Sequence, residues 1–142
     1  PSIVTIKGDC RSFKRSVSET IERRLGELAQ GICHAHGAEL RFSYQRVFHA
    51  TTNHPAETEH ALAAAHATNP AELVEYPCQP MTASDDFAHM LLEKKGAYIF
   101  IGNGSDSVGG CALHNPHYDF NDEILATGVR FWINLVQQQL SS

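Results

Sequence analysis

The chain has 142 residues, enough for one ordinary domain with a hydrophobic core or for pieces of two. Hydrophobic residues make up 42% and charged residues 19%, a globular balance that excludes an intrinsically disordered chain. The net charge of −5 and pI near 6.0 give no electrostatic case for nucleic acid or an anionic membrane.

Ile3, Val4 and Ile6 open a β-rich run that ends near Cys10. Arg11, Lys14, Arg15, Arg23 and Arg24 form one loose basic group, which at near-helical spacing reads as a solvated face. Ser16 and Glu19 have the spacing of a capping box. Val17, Ile21, Leu25, Leu28 and Ile32 then recur at steps of four, four, three and four, the apolar stripe of a helix stopped by Gly37. His34 and His36 sit at its C-terminal end, where a cap reading outweighs metal ligation. Leu40, Phe42 and Tyr44 alternate with polar residues as in a half-buried strand.

A break follows at residues 51–55, where Pro55 suits the first turn of a helix over residues 56–67. Asn69-Pro70 starts a second short helical piece that ends before Pro77. Ser84 is placed to cap a helix from Asp85 to about Lys95, with Phe87, Met90 and Leu91 inward and Gly96 as its stop. Asp85-Asp86 reads as first-turn acids that favour the helix dipole. Residues 97–101 read as a strand buried on both faces, and residues 102–110 as a glycine-rich loop. Gly102-Asn103-Gly104 is no phosphate loop, because no Lys-Ser/Thr pair completes one. The last helix is expected from about Asp122 to Leu140, with Leu125, Val129, Trp132, Val136 and Leu140 inward and Phe131-Trp132 in the core.

No apolar run reaches the ~20 residues needed to span a bilayer, and the first residues lack a signal-peptide pattern. Cys10, Cys33, Cys78 and Cys111 form no C-x-x-C pair, so reduced thiols in a cytoplasm are the economical expectation. The start at Pro1-Ser2 is expected of a processed, truncated or cloned segment, or of methionine removal alone.

His114 is the leading candidate for chemistry. It follows the glycine-rich loop, and Pro116 keeps Asn115 extended. A neutral imidazole there could bind Zn, Mn or a similar divalent metal, and Asp119 or Asp122 could orient it from behind. Taken alone, a surface or cap histidine is the commoner explanation, and the nine histidines make a chance placement easy. His117 could touch substrate or sit idle on the surface. At Asn53 a hinge or turn outweighs a substrate contact.

Leu113-His114-Asn115-Pro116-His117-Tyr118-Asp119-Phe120-Asn121-Asp122 resembles, at every defined position, the Leu-His-x-Pro-x-Tyr-Asp-Phe-x-Asp segment of two-metal amidohydrolases. These are the hippurate hydrolases and N-acyl-amino-acid deacylases. Thr82-Ala83-Ser84-Asp85-Asp86-Phe87 resembles the family's Met-x-Ser-Glu-Asp-Phe block, with Thr82 and Asp85 departing from it. Residues 97–104, Gly8 to Phe13, the Gly37-Ala38-Glu39 turn and Thr52-Asn53-x-Pro55 are similar to further blocks in the same order.

The resemblance implies an α/β fold. Residues 1–52 would be the second half of a β-α-β lid, or dimerisation, domain. Residues 53–142 would be the C-terminal part of a metallopeptidase-like α/β catalytic domain. It implies His114 as the last metal ligand, an N-acyl amino acid substrate, and pairing through the lid into a homo-oligomer, or assembly with a missing N-terminal half. The family's other ligands have no counterpart here: there is neither a His-x-Cys-Gly-His-type segment nor a Glu-Glu pair to supply the general base. Two-metal hydrolysis needs a bridging water held by several ligands and a carboxylate to take its proton. The chain alone is therefore expected not to retain metal or to catalyse. A non-catalytic dimerisation or assembly module, or a degenerate remnant of the family, is the alternative. An unrelated small α/β protein with a chance histidine segment is the third reading.

Overall fold

A computed structural model describes residues 1–105 and 107–141, without the side chains of Ser107 and Val108. The elements are α1 (Arg15–Ala35), α2 (Pro55–Thr68), α3 (Phe87–Glu93) and α4 (Leu125–Leu140), with short 3₁₀ turns at Ala71–Leu73, Ser107–Gly110 and Asp122–Ile124. The chain divides into two compact units, Pro1–Thr51 with Pro80–Glu93, and Thr52–Gln79 with Lys94–Ser142. Among the described residues no helix is long and apolar enough to cross a membrane.

The expected β-α-β lid and α/β catalytic fold are corrected here: among the described residues no strand forms. The physical reason is that a helix closes its hydrogen bonds within itself, whereas a strand exists only through a neighbour. Residues 39–46 are instead held by α1. The Phe42 ring lies 3.4 Å from where a Cβ on Gly26 would stand. Arg46 pairs with Glu22 and lies over the Tyr44 ring, 5.6 Å from its centroid. Ile3, Val4 and Ile6 belong to no regular element and are exposed. Residues 97–101 form no regular element either, and Phe100 is 63% exposed, so burial on both faces is not found.

α1 starts two residues earlier than the expected box. Lys14 is its N-cap, Ser16 lies inside the first turn, and Glu19 accepts from Arg15 Nε at 3.0 Å. Its end follows the sequence: Gly37 adopts φ 63°, the Ala38 N–H reaches the Cys33 carbonyl at 2.9 Å and the Gly37 N–H reaches His34 at 3.2 Å. This is the Schellman arrangement that a glycine permits. No residue of α1 is buried, and Leu28 and Ile32 of its stripe are exposed.

In the same unit, α3 is shorter than expected. Asp85 Oδ1 accepts the Phe87 N–H at 2.8 Å and does the capping assigned to Ser84, whose hydroxyl accepts from Arg11 at 2.6 Å. Ala88 and Leu91 are buried there, while Met90 is exposed.

The second unit is built on α2 against α4. Pro55 opens α2 and Asn69-Pro70 closes it, as the sequence implies. Only the turn Ala71–Leu73 remains of the second helical piece. Ala61, Ala64 and Phe131 form the buried cluster, with Ala65, Ala97 and Leu135 packed on it. The alanines let the α4 backbone approach, and Phe131 fills the space they leave. Asn134 Nδ2 donates to Thr68 Oγ1 at 3.0 Å across this contact. Of the expected Phe131-Trp132 core only Phe131 is found inside, and the expected apolar side of α4 is not buried. Phe131 is buried, whereas Leu125, Val129, Trp132, Val136 and Leu140 are exposed.

Candidate metal-ligand segment

The segment carrying His114 lies in the second unit, between the 3₁₀ turn Ser107–Gly110 and the turn that starts α4. It is built from consecutive tight turns. The Asn115 N–H reaches the Ala112 carbonyl at 3.0 Å, and the Tyr118 N–H reaches the Asn115 carbonyl at 2.9 Å. Asn115 Oδ1 also accepts the His117 N–H at 2.9 Å, the local bond for which Asn is favoured in turns. His114 sits in the first of these turns at φ 70°, a left-handed conformation that few residues other than glycine adopt. Its side chain is exposed.

Asp119 is exposed, and its Oδ1 accepts the Phe120 N–H at 2.9 Å. Asp122 is exposed in the first turn ahead of α4, where a carboxylate favours the helix dipole. His117 is exposed as well. Among the described residues no group of three or more His, Cys, Asp or Glu side chains is arranged to hold a metal ion. This chain offers one imidazole where a two-metal centre needs several donors, so its residues do not by themselves fit that centre.

Two asparagines carry more of the local structure than the sequence reading gave them. Asn53 Nδ2 donates to the Tyr98 carbonyl at 2.9 Å, and its Oδ1 accepts the Tyr98 N–H at 2.7 Å. One carboxamide thus serves both backbone groups of one residue, beside the His54 N–H bond to the Gly96 carbonyl at 3.1 Å. Asn103 makes a similar pair with the His114 segment. Its Nδ2 donates to the Asp119 carbonyl at 2.8 Å, and its Oδ1 accepts the Asn121 N–H at 2.9 Å. In the sequence Asn103 stands between two glycines, inside the block 97–104 that resembles the family, and neither signal names its hydrogen-bond partners.

The chain is 31% identical over 124 residues to YhaA of Bacillus subtilis (strain 168), provisionally named an amidohydrolase, covering 87% of this chain and 31% of that protein. It is 29% identical over 140 residues to the hippurate hydrolase of Campylobacter jejuni subsp. jejuni serotype O:2, covering 99% of this chain and 36% of the enzyme. It is 26% identical over 125 residues to an N-acetyldiaminopimelate deacetylase of Streptococcus thermophilus (strain CNRZ 1066), covering 87% of this chain and 32% of that protein. The chain thus spans about a third of the length of the curated relatives it matches. No solved structure matches it. The family model described as Peptidase family M20/M25/M40 matches residues 5–138, nearly the whole sequence, and the chain belongs to that family.

Proposed function

We propose that this chain is part of a metal-dependent amidohydrolase that cleaves the amide of N-acyl amino acids, with His114 as one ligand to a divalent metal such as zinc or manganese. The observation that carries this reading is the His114 segment, whose turns present an exposed imidazole within a sequence that matches the family. The names of two relatives support the substrate class, since hippurate and N-acetyldiaminopimelate are both N-acylated amino acids. Asp119 and Asp122 are assigned, as part of the same proposal, the role of orienting the imidazole from behind.

With one donor in this chain, the remaining ligands and the general base come from polypeptide outside it, and the chain alone is inactive and does not retain the metal. Residues 1–52 are assigned to the dimerisation domain and residues 53–142 to the catalytic domain, with pairing of two copies through the former. The four free cysteines favour a reducing, cytoplasmic setting.

The alternative, a non-catalytic assembly module, draws on the exposed apolar stripe of α1. A denaturing mass spectrum of the purified preparation first establishes whether a second polypeptide accompanies the 15.7 kDa chain. Hippurate hydrolysis is then assayed with added zinc or manganese, for the chain alone and with the upstream portion supplied. We expect no turnover alone, turnover in the assembly, and a loss of ~100-fold or more on His114→Ala. Turnover by the chain alone, or an unchanged rate in the assembled His114→Ala variant, would overturn the reading.

A further inference from the structure

We propose that Asn103-Gly104 is a latent deamidation site, which the fold protects by clamping the Asn103 carboxamide and which, once reacted, leaves the clamp unable to re-form. Of the six asparagines in the chain, Asn103 alone precedes a glycine. Glycine has no side chain to hinder its backbone nitrogen when that nitrogen attacks the preceding carboxamide. Asn69 and Asn115 precede prolines, whose nitrogen carries no hydrogen to lose. Asn53, Asn121 and Asn134 precede His54, Asp122 and Leu135, each with a side chain in the way.

The step needs only water. Base in the solvent takes the Gly104 amide proton, and the nitrogen bonds to Asn103 Cγ. The Cγ–Nδ2 bond breaks, and Nδ2 takes a proton from water and leaves as ammonia. Water then opens the cyclic imide at one of its two carbonyls, which leaves aspartate or isoaspartate at position 103.

In the folded chain the groups that must move are held. Nδ2, the leaving group, donates to the Asp119 carbonyl at 2.8 Å, and Oδ1 accepts the Asn121 N–H at 2.9 Å. Asn121 Nδ2 donates to the Asn103 backbone carbonyl at 3.3 Å, on the peptide group that contains the Gly104 nitrogen. These bonds form a clamp. The same carbonyl oxygen faces the buried Gly109, where an added Cβ would collide with it. Attack requires this peptide group to turn toward the side chain, and both the clamp and Gly109 oppose the turn. Reaction is therefore confined to molecules whose loop has opened, and its rate follows the open fraction.

The products cannot rebuild the clamp. An aspartate keeps the acceptor but sets an oxygen against the Asp119 carbonyl, where Nδ2 donated. An isoaspartate lengthens the backbone by one methylene beside the Gly109 contact. Asn121 Oδ1 accepts the Glu123 N–H at 3.1 Å, so the change is passed to the start of α4.

The native chain and the same chain unfolded in urea are held at mildly alkaline pH and followed by peptide mass spectrometry at all six asparagines. In the unfolded chain, position 103 should lose ammonia faster than any other asparagine. In the native chain it should do so at least about ten-fold more slowly. Asn121→Ala, checked for folding by circular dichroism, should recover part of the lost rate. In the refolded isoaspartate fraction, the Asn121 N–H should exchange faster than in the unmodified chain. The measurements on the parent chain stand whether or not that variant folds. Equal native and unfolded rates at position 103, or a faster asparagine elsewhere in the unfolded chain, would overturn the proposal. So would a folded Asn121→Ala with the parent's rate, or an isoaspartate fraction with full protection at Asn121.

Discussion

α1 and the α2–α4 pair show that periodicity and burial are separate properties. α1 has the clearer helical stripe, yet none of its residues is buried. α2 is alanine-rich and carries no comparable stripe, yet Ala64 is 0% exposed and Ala61 lies beside it. A stripe says which face would be buried if something covered it. Small side chains let a second helix come close enough to do the covering, and here Phe131 of α4 takes that place. Stability in the second unit is therefore concentrated at a few contacts, whereas α1 rests on its own hydrogen bonds, surface ion pairs and the partly exposed packing of residues 39–46.

The largest test of this contrast is Phe131→Ala, which empties the cluster under Ala61 and Ala64. It should cost ~3–5 kcal/mol, measured by denaturant unfolding of the full chain. A cost below ~1 kcal/mol would place the core elsewhere. Leu28→Ser on α1 removes a larger apolar side chain than either alanine, but from an exposed position. It should change unfolding by less than ~0.5 kcal/mol. A larger loss would mean that the α1 stripe is covered in solution, and a concentration-dependent loss would identify a second copy as the cover.

The smallest effect is electrostatic. Arg23, 2.8 Å from Glu27, together with Arg24 at 2.7 Å, holds the Glu27 carboxyl below its ordinary range. A depressed folded-state value means that the contribution to stability is present above the unfolded value and is lost as pH falls through the folded one. Acid should therefore slightly reduce the helicity of α1, and added salt should reduce the pH dependence, because this carboxylate is open to solvent. Circular dichroism of the parent against Glu27→Gln checks both signs: the variant should lose this step in the titration.

Much of the helical skeleton was legible because its punctuation is local. Gly37 ends α1, Pro55 opens α2 and Asn69-Pro70 closes it, each through a backbone restriction that acts whatever the rest of the chain does. The His114 segment was legible as a motif, and its family is now shown by the match over residues 5–138. The Asn103 clamp was not legible, because asparagine between glycines marks many kinds of turn and its partners lie 16 and 18 residues away.

By itself the sequence determined where α1 ends and where α2 begins and ends, since those signals need only neighbouring residues. Tertiary structure decided which faces are buried and whether alternating segments become strands. Alternation such as Leu40, Phe42, Tyr44 states a preference for one covered face without naming the cover, and α1 supplied it where a neighbouring strand was expected. The same holds for α4, where only the approach of α2 selected Phe131 over Trp132. Burial is a property of pairs of surfaces, and a single stretch of sequence records just one of them.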